Sequence, residues 1–502
     1  MANLTEFLAF HARRTPGRTA LAYNGAEISY AEMMARAHSG ARWLAERGIG
    51  KGDVVALLMK NSAAFFDLVF AVSHQGAVLL PINYRLAANE IEYILSNASA
   101  TLLIADQEFE GVTSQLPEGS VESIFLLDSS AQADIRSVAV TSGSSPPAHC
   151  SNNDLMRLVY TSGTTSRPKG VMHAYEQFYW KHLSLIPPLE LSGQTRLLIV
   201  GPLYHVGGLE LPGLSVLALG GMIALEREFE PERALAAIER YHLNGAWFAP
   251  TMTNMILALP SNLWVSARTL NWVIGGGERT PEARIRSFSE AFPKARYIDA
   301  YGLTESNSGD TFMEPGMELL KIGSTGRAAP HLEVEIRDES GKTLTPGQDG
   351  EICLRGRKIT SGYWNDELRT KEAFFSNGWF RTGDIGYLDE EGFLFLTDRK
   401  KDMILSGGEN IASSEVERVI YEMPEVLEAA VIAGSDPKWG EVPVAIVTPR
   451  PGSKVTLESL QAHCRKSLAG FKTPKRLVIK ESLPRNPSGK VLKRVLREEI
   501  EA

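Results

Sequence analysis

Residues 160–171 read YTSGTTSRPKGV and follow an apolar run, Leu155–Val159, that is typical of a buried strand. The two glycines allow close approach of the backbone to a ligand, and the hydroxyls, Arg167 and Lys169 can donate hydrogen bonds to phosphate oxygens. A flexible linker would not need a Pro–Lys pair directly after a strand. A Walker A loop has its lysine after the second glycine, whereas Lys169 precedes Gly170. The stretch therefore predicts a phosphate-binding loop of another kind.

The bulk composition narrows the class of protein. A chain of 502 residues is long enough for roughly two to four domains or subdomains. Its 44% apolar and 22% charged residues are typical of a globular protein in water. The formal charge of −8 argues against a general nucleic-acid binder, which would carry a basic face.

Cysteine usage and the apolar runs indicate a cytoplasmic location. Cys150, Cys353 and Cys464 lack the spacing of a disulfide framework or a zinc site, so we expect small buried residues rather than a nucleophile. The N-terminus lacks the cationic start and long apolar run of a signal peptide. The most apolar long stretch, Val206–Leu225, carries Glu210, a proline and several glycines. We therefore interpret it as a buried loop, helix and strand rather than a membrane span.

The first half of the chain alternates between helical and strand periodicity. Ser29 and Glu32 have the spacing of a capping box and begin a helix that runs to about Arg47. The elements predicted next are a strand Val54–Met59, a helix Ala63–His74, a strand Ala77–Ile82, a helix Glu90–Leu95 and a strand Thr101–Ala105. This rhythm predicts βαβ units and a mostly parallel sheet with helices on both faces.

A second α/β series follows the phosphate-type loop. Its predicted strands are Leu197–Val200, Met222–Leu225, Ala246–Ala249, Trp272–Ile274 and Tyr297–Ile298, and its predicted helices are Pro231–Tyr241 and Pro281–Phe292. Short strands with glycine turns between Leu332 and Leu396 predict a small antiparallel barrel or sheet. The remainder predicts a small α+β domain with helices Ser414–Glu422 and Leu457–Leu468 and strands Ala429–Ala433 and Val442–Val447.

Two segments in the middle of the chain carry nucleotide-type chemistry at predicted strand ends. In DAYGLTE, residues 299–305, Tyr301 could stack on a base, Thr304 could bond a phosphate and Glu305 could bind Mg²⁺. Thr304 and Glu305 could equally cap a helix. In GWFRTGD, residues 378–384, the Asp384 carboxylate could accept both hydroxyls of a ribose or form an Asx turn.

Two segments near the C-terminus complete the set. DRKKDMILSGGENI, residues 398–411, joins a cationic run to a glycine pair, which is also the pattern of a solvated face. PRNPSGKVLK, residues 484–493, would present Lys490 on a mobile tip, although most such lysines are surface charges. Together with the phosphate-type loop, the four segments supply the parts needed to hold ATP and attack it, so an enzyme is favoured.

The ordered motifs YTSGTTSRPKG, YGLTE, GWFRTGD, DRKKDMILSGGEN and PRNPSGK resemble those of the adenylate-forming superfamily, which includes acyl-CoA synthetases, non-ribosomal peptide adenylation domains and beetle luciferases. The resemblance implies an α/β fold. A large N-terminal domain of stacked α/β subdomains and a small β-barrel, residues 1–399, would precede a small mobile α+β domain, residues 400–502. It also implies two steps: a carboxylate attacks the α-phosphate of magnesium-bound ATP to give an acyl-adenylate, and the thiol of coenzyme A then displaces AMP.

The same resemblance assigns roles at the nucleotide. It implies that the β- and γ-phosphates are held by Thr161, Ser162, Gly163, Thr164, Thr165 and Lys169. Adenine would be bound by Asp299, Tyr301 and the backbone of Gly277 and Glu278, with Gly302 among the nucleotide-binding residues, and the ribose by Asp384 and Arg399. Thr304 would contact the α-phosphate and Glu305 would bind Mg²⁺.

The C-terminal domain would serve both steps. Lys490 would stabilise the charge that develops between the carboxylate and the α-phosphate. Lys401 matches the family's hinge position, and rotation there would withdraw Lys490 after the first step. The rotation would also bring in the residues that line the pantetheine tunnel, namely Ser406, Gly407, Gly408 and Glu409.

Departures from the family pattern occur at two places. Ser166 stands where the family usually has glycine, which would make the phosphate loop a little stiffer. The segment 275–281, GGGERTP, carries Glu278 and Arg279 where relatives often have small or apolar residues, and this affects the acyl pocket rather than the nucleotide site.

The acyl pocket should be apolar and aromatic. Its expected lining is His205, Val206, Trp247, Phe248, Gly275, Gly276, Tyr301 and Asn307. His205 matches a family position near the carboxylate, and a satisfied buried histidine is its alternative. We find no cation placed to pair with a second carboxylate, so dicarboxylates are disfavoured. A medium- or long-chain fatty acid is favoured, because GWFRTGDIGYLDEEGFLFLTDRKKDMILSGGEN most resembles bacterial fatty acyl-CoA ligases, while an aryl acid of the benzoate or cinnamate type stays open.

Other functions are weighed against this one. A stand-alone adenylation enzyme would load a carrier protein instead of coenzyme A. A luciferase-like oxidation has no signal in the sequence. A silent nucleotide sensor would not need Glu305 and Lys490. The expected partners are a carboxylic acid and coenzyme A, with no nucleic acid and no transmembrane segment. Peripheral membrane contact and a homodimer are left open.

Overall fold

The computed structural model describes residues 3–128, 146–161, 168–276, 280, 282–399, 402–406, 409–436, 439–468, 470–485 and 491–501. Residues 3–128 form α1 (Leu4–Arg14), β1 (Thr19–Tyr23), β2 (Ala26–Ser29), α2 (Tyr30–Ala45), β3 (Val54–Leu58), α3 (Ala63–His74), β4 (Val78–Pro81), α4 (Ala88–Ala98), β5 (Ala100–Asp106), α5 (Glu110–Thr113) and β6 (Ser123–Leu127). The next described segments, up to residue 276, form β7 (Leu155–Thr161), β8 (Lys169–Ala174), α6 (Tyr175–Leu189), β9 (Arg196–Ile199), α7 (Val206–Glu210), α8 (Gly213–Ala218), β10 (Met222–Leu225), α9 (Pro231–Tyr241), β11 (Gly245–Trp247), α10 (Pro250–Leu257) and β12 (Trp272–Gly276).

The rest of the described chain forms two further groups of elements. Residues 282–399 form α11 (Glu282–Ala291), β13 (Arg296–Tyr301), β14 (Thr311–Phe312), β15 (Arg327–Ala328), β16 (Leu332–Arg337), β17 (Gly350–Gly356), α12 (Glu367–Glu372), β18 (Phe380–Leu388) and β19 (Leu394–Arg399). Beyond residue 401 follow β20 (Ile404–Ser406), β21 (Glu409–Ile411), α13 (Ser413–Tyr421), β22 (Val426–Asp436), β23 (Gly440–Pro449), α14 (Leu457–Cys464), β24 (Arg476–Ile479) and α15 (Lys493–Glu501). The mixed α/β class predicted from the sequence is confirmed.

Local signals in the sequence set several helix ends. The Asn3 and Ser29 side chains accept hydrogen bonds from the first turns of α1 and α2, as helix N-caps do. Ser62 does the same for α3, whose residues are buried all round. Pro231 begins α9, where its missing N–H costs nothing. Helices α2, α3 and α9 therefore begin where the sequence predicts.

Two large sheets carry the first 330 or so residues. One has six strands in the order β6-β5-β3-β4-β7-β8, parallel except for β8, which runs antiparallel to β7. The other has nine strands in the order β15-β14-β13-β12-β11-β9-β10-β1-β2, with antiparallel strands only at its two edges. Strand residues of both sheets, such as Leu57 and Leu197, share one hydrophobic cluster with α2, α3 and α6. The main core therefore lies between the two sheets, around α3.

Two smaller sheets complete the fold. Strands β16–β19 form a four-stranded antiparallel sheet in the region where the sequence predicts a small antiparallel barrel or sheet. The last sheet runs β21-β20-β23-β22, and β24 lies parallel to β23. The two hydrophobic clusters that fill it contain only residues from Ile404 onward. None of the described helices is long and apolar enough to cross a membrane.

A few predicted boundaries were wrong by several residues. The helix predicted over Leu457–Leu468 ends at Cys464, and the strand predicted over Ala429–Ala433 extends over Val426–Asp436, because β23 pairs with it along its whole length. The strand predicted at Tyr297–Ile298 continues to Tyr301 because it pairs with the end of β12. Asp299 and Tyr301 therefore belong to a strand and not to the loop after it.

Gly326 forms the junction between the nine-stranded sheet and the four-stranded sheet. Its φ is +85°, and a Cβ there would overlap the carbonyl of Phe312. We expect Gly326→Ala to lower the free energy of unfolding by more than the ~1–2 kcal/mol of left-handed strain alone, because the backbone clash adds to that strain.

Gly392 provides the matched control. Its φ is +82°, but a Cβ there would meet nothing within 4 Å. Gly392→Ala should therefore cost the strain alone, and the difference in thermal midpoint between the two variants measures the clash. Equal midpoints would contradict this account.

Candidate active site

The phosphate-type loop is held at both ends by paired strands. Thr161, the last residue of β7, pairs with Lys169, the first residue of β8. The hydroxyl oxygen of Thr161 is buried and has no hydrogen-bond partner among the described residues. Ser162, Gly163, Thr164 and Thr165 lie outside the described residues. The Thr161 hydroxyl and the Lys169 side chain thus lie at the two strand ends that flank the loop in the sequence.

Lys169, Glu305 and Tyr363 meet although they are far apart in the sequence. The Lys169 ammonium lies 2.9 Å from the Glu305 carboxylate. Lys169 also donates to the Tyr363 hydroxyl at 2.6 Å, and that hydroxyl donates to the same Glu305 oxygen at 3.0 Å. Burial raises the pKa of Tyr363, and the Glu305 charge raises it further, so the hydroxyl keeps its proton. A cation, a carboxylate and a fixed donor therefore share one point of the site.

Tyr363 was not recognised from the sequence. It lies in the segment 360–364, which runs beside β8: the Trp364 N–H donates to the Gly170 carbonyl and the Met172 N–H to the Gly362 carbonyl. This pairing crosses nearly two hundred residues of chain, so no local pattern could indicate it. The aromatic hydroxyl in GYW, residues 362–364, is the only signal that the sequence offers.

Thr304 and Glu305 lie in a turn, so the alternative of a helix cap is wrong. Residues 302–309 form no helix, and Asn307, Ser308 and Gly309 all have positive φ. The turn is tied to its surroundings at both carbonyls. The Thr360 N–H donates to the Glu305 carbonyl at 2.7 Å, and a ring nitrogen of His173 lies 2.7 Å from the Thr304 carbonyl.

The residues predicted for the nucleoside also come together. Asp384 lies inside β18 rather than in an Asx turn, and the strand register places it opposite Arg399 of β19. The Tyr301 hydroxyl donates to the Asp384 carboxylate at 2.9 Å. Burial raises the pKa of Tyr301 well above its usual value, and Asp384 adds to this. Asp299 is buried two residues before Tyr301 in β13. Gly277 and Glu278 lie outside the described residues.

Of the site residues predicted beyond residue 400, the structure describes Ser406 and Glu409. Ser406 ends β20 and pairs with Glu409, the first residue of the antiparallel strand β21. Gly407, Gly408, Lys401 and Lys490 all lie outside the described residues. Their roles remain predictions.

His205 precedes α7 and acts as its N-cap. Its Nδ1 accepts the Gly207 N–H at 3.1 Å. Burial lowers the pKa of His205 to about 4, and the charges of Arg157 and Lys181 add to the effect. The ring is therefore neutral at pH 7 with its proton on Nε2, and that nitrogen has no bond to any described residue. A neutral imidazole of this kind can donate one hydrogen bond to an anion.

The acyl-pocket residues divide between two faces of β11. The Trp247 ring lies against Gly201 and Gly207 on the side of α7. Phe248 points the other way, into the core formed with α9 and α11, so it does not share a face with Trp247. The side chain of Asn307 is buried, accepting from Arg157 at 3.2 Å and donating to the Lys358 carbonyl at 3.1 Å. Both ends of its amide are thus already engaged.

A buried ion cluster behind His205 was missed by sequence reasoning. The Glu210 carboxylate pairs with Arg157 of β7 and, at 2.9 Å, with Lys181 of α6. The three side chains are exposed by at most 1%. We found no cation near the acyl pocket from the sequence, and these two cations lie close enough to His205 to lower its pKa, although Glu210 already pairs with both.

The two cations keep the buried Glu210 carboxylate in its charged form. Burial alone would raise the pKa of Glu210, but Arg157 and Lys181 outweigh it and lower the pKa to about 2. Burial lowers the pKa of Lys181 to about 8, against the effect of Glu210. The three groups are therefore charged at neutral pH. The attraction of the Glu210 carboxylate offsets the cost of removing both cations from water.

The sequence does hold a signal for this cluster. Lys181 follows Phe178 by three residues and precedes Leu185 by four, so it lies on the buried face of α6. Glu210 interrupts the most apolar stretch of the chain. A charged residue on each of two apolar faces indicates a buried pair, because an isolated buried charge is too costly to keep.

Other candidate chemistries are not supported. The three cysteines are buried and free, as predicted. Burial raises the pKa of Cys353 to about 12 and of Cys464 to about 11, which disfavours the reactive thiolate of a nucleophile. Within the described ranges no group of three or more His, Cys, Asp and Glu residues could hold a metal ion.

Two family models match the chain. The model for AMP-binding enzymes matches residues 8–364, and the model for the AMP-binding enzyme C-terminal domain matches residues 415–490. The chain belongs to the AMP-binding enzyme family. This confirms the predicted adenylate-forming superfamily and its acyl-CoA synthetase branch, and the protein is an enzyme.

Similar curated proteins span several acids. The long-chain-fatty-acid–CoA ligase FadD13 of Mycobacterium tuberculosis is 37% identical over 482 residues, covering 95% of this chain and 93% of its own. A feruloyl-CoA synthase from Amycolatopsis is 33% identical over 488 residues, covering 97% and 96%. Relatives of similar identity are thus named for quite different acids.

Similar solved structures contain nucleotide. The o-succinylbenzoate CoA synthetase of Bacillus subtilis, in complex with an acyl-adenylate, has a TM-score of 0.88 and 29% identity over 99% of both chains. The ATP-bound MatB of Rhodopseudomonas palustris has a TM-score of 0.92 and 28% identity over 99% of both chains. Both solved structures thus share the fold of this chain over nearly its whole length.

Removing Glu210 should destabilise the protein far more than removing Lys181. Glu210→Gln leaves two buried cations without a carboxylate, and breaking a buried pair in this way costs about 3–5 kcal/mol. Lys181→Met leaves the Arg157–Glu210 pair intact and should cost less than about 2 kcal/mol. Thermal and urea unfolding of the two variants compares these losses, and equal losses would contradict the cluster described above.

The buried histidines should make the protein sensitive to acid. Burial lowers the pKa of His173 and His182 to about 3 and that of His205 to about 4. Below pH ~6.5 the unfolded chain binds a proton at each position while the folded chain does not, so stability is lost as pH falls, by up to ~1.4 kcal/mol per pH unit for each histidine.

His182→Asn tests this pH dependence. Its Nδ1 lies against the Ser215 hydroxyl, which an Asn side chain can still meet, and its Nε2 is buried with no described partner. The variant's melting temperature should fall less steeply between pH 6.5 and pH 5 than that of the wild type. The exposed His149→Asn should keep the wild-type slope. An unchanged slope in His182→Asn would refute the assignment.

Proposed function

We propose that the protein is an ATP-dependent, AMP-forming acid–CoA ligase. It would convert a carboxylic acid to an acyl-adenylate and then to an acyl-CoA thioester. The observation that carries the proposal is the meeting of Lys169 and Glu305 at 2.9 Å, beside the phosphate-type loop of a family of AMP-binding enzymes. A cation for phosphate oxygens and a carboxylate for a metal are the two groups that a triphosphate site needs at one point.

Mg²⁺ fits the groups found here. Glu305 supplies a carboxylate oxygen, and the unpartnered Thr161 hydroxyl lies at the neighbouring strand end. Mg²⁺ is usually held by one or two carboxylates together with substrate phosphates. When bound, the ion would neutralise charge on the departing pyrophosphate. Lys169 and the loop residues Ser162–Thr165 would hold the β- and γ-phosphates.

The remaining nucleotide contacts follow the family pattern. Asp299, Tyr301, Gly302 and the backbone of Gly277 and Glu278 would bind the base, and Asp384 and Arg399 the ribose. The Tyr301–Asp384 hydrogen bond supports this, because it fixes the carboxylate rotamer that must accept from ribose hydroxyls.

In the first step a carboxylate oxygen would attack the α-phosphorus, and the bond to the pyrophosphate oxygen would break. Thr304 would contact the α-phosphate. His205, neutral and with its proton on Nε2, would donate to the carboxylate and orient it. Lys490 would meet the negative charge that builds between the two reactants.

In the second step the thiol sulfur of coenzyme A would bond to the acyl carbon, losing its proton, and AMP would leave. We propose that residues 400–502 form a mobile domain that pivots at Lys401. The separate hydrophobic clusters beyond Ile404 support an independent unit. Ser406, Gly407, Gly408 and Glu409 would then line the pantetheine tunnel.

The acid is proposed at the level of class. A medium- or long-chain fatty acid is supported by the 37% identity to the long-chain-fatty-acid–CoA ligase. An aryl acid is supported equally by the relatives named for feruloyl-CoA and for 2-succinylbenzoate, at 33% and 35% identity.

One assay tests both the reaction and the class of acid. The protein is incubated with ATP, Mg²⁺, coenzyme A and a panel that includes decanoate, palmitate, benzoate, cinnamate and ferulate, and AMP and pyrophosphate are measured. We expect both products with one class of acid and an acyl-CoA by mass spectrometry. Release of ADP, or no turnover with any acid, would refute the proposal. Omission of coenzyme A separates thioester synthesis from loading of a carrier protein.

Lys490→Ala should separate the two steps. Loss of one fixed charge donor costs about 10²–10³-fold in rate, so adenylation measured by pyrophosphate exchange should fall by that factor. Thioester formation from a supplied acyl-adenylate should be largely retained. Lys454→Ala removes an exposed lysine of the same region and should leave both steps unchanged. An equal loss of rate in both steps for Lys490→Ala would contradict the role assigned to Lys490 in adenylation.

A further inference from the structure

His173 is buried on β8 with both ring nitrogens engaged. Its Nδ1 lies 2.7 Å from Nη2 of Arg157, and its Nε2 lies 2.7 Å from the Thr304 carbonyl oxygen. A guanidinium can only donate, so Nδ1 must accept. The ring proton is then on Nε2 and is donated to Thr304. Arg157 thus selects the tautomer that can bond the Thr304 carbonyl.

The partners of Arg157 hold this arrangement from behind. Its guanidinium also pairs with Glu210 and donates to Asn307 at 3.2 Å, and it is fully buried. Burial and the Arg157 charge lower the pKa of His173 to about 3. A second proton on the ring would leave two donors facing each other, so the neutral form is required by the geometry itself.

The turn that carries Thr304 and Glu305 is closed by bonds within it and attached to the rest of the protein at several points. Its internal bond from the Asn307 N–H to the Thr304 carbonyl shapes it but does not attach it to the rest of the protein. The Thr304 carbonyl is held by His173, and the Glu305 carbonyl is held by Thr360. Farther along the turn, Asn307 bonds Arg157 and the Lys358 carbonyl, and the Lys358 ammonium donates to the Ser308 carbonyl. His173 belongs to the same strand as Lys169, so it ties the turn to the strand that leaves the phosphate-type loop.

We propose that His173 is a positioning residue that sets the distance between the Thr304–Glu305 turn and Lys169. The inference rests on the proposed function, since it assigns the turn and the lysine to the two ends of one triphosphate. His173 touches neither substrate nor metal. It acts through the Thr304 carbonyl, and Arg157 fixes its tautomer.

Two variants of His173 separate its two hydrogen bonds. In Asn the side-chain oxygen is as many bonds from Cβ as Nδ1 is in His, and in Gln the amide nitrogen is as many bonds from Cβ as Nε2 is. His173→Asn therefore keeps the acceptor for Arg157 and loses the donor to Thr304. His173→Gln keeps the donor to Thr304.

We expect His173→Asn to raise the KM for magnesium-bound ATP by up to about tenfold, the value of one hydrogen bond, and to lower kcat for adenylation, with the KM for the acid unchanged. His173→Gln should recover most of the wild-type KM. Melting temperatures are measured for both. Equal kinetic loss in the two variants, loss that follows melting temperature, or no loss in His173→Asn would each overturn the proposal.

A spectroscopic measurement does not depend on the variants folding. In wild-type protein labelled with ¹⁵N-histidine, the His173 ring should show the neutral Nε2–H pattern between pH 5.5 and pH 8. A cationic ring or the Nδ1–H pattern would overturn the proposal. Glu305→Gln serves as the reference for the underlying function: if it binds magnesium-bound ATP as the wild type does, the assignment of Glu305 fails, whatever the His173 variants do.

Discussion

The buried carboxylate of Glu210 lies between Arg157 and Lys181. This pairing fixes the relative positions of the elements that carry the three side chains. A buried carboxylate is tolerated only where its partners stand at bonding distance, because its desolvation is large and the attraction falls off with separation. The three side chains come from α7, β7 and α6, so those elements cannot shift independently. The packing of two helices against one strand of the central sheet is therefore set by charge as well as by apolar contact.

The buried ion cluster also holds residues of the candidate active site in place. Arg157 is held by Glu210 and in turn holds His173, which bonds the turn of Thr304 and Glu305. His205 is the N-cap of the same α7 that carries Glu210. Groups proposed for the acid, the metal and the phosphates are thus connected through side chains that no ligand touches. This is why the cluster was invisible to motif reading, which looks for residues that contact ligands.

Much of the fold could be predicted where the signal is local. Helix α3 begins as predicted because Ser62 caps its first turn, and α9 begins as predicted because Pro231 is its first residue. The motif segments were predicted to form one site because each lies where a strand ends, and Lys169 and Glu305 do meet, although β8 and β13 belong to different sheets. The contact of Lys169 with Tyr363 could not be predicted, since it depends on an irregular segment pairing with β8 across a long stretch of chain. The opposition of Asp384 and Arg399 depends on a bulge beside them in the hairpin, which shifts the register in a way that no motif specifies.

The Lys169 ammonium and the Glu305 carboxylate neutralise each other, with the Tyr363 hydroxyl bonded to both. A bare metal ion drawn to Glu305 would come close to an ammonium of its own sign, and a bare triphosphate drawn to Lys169 would come close to a carboxylate of its own sign. Only a ligand that brings both signs together can exchange partners with the pair without leaving a repelled charge. Under the proposed function, the ion pair therefore favours binding of the magnesium–nucleotide complex over binding of either component alone.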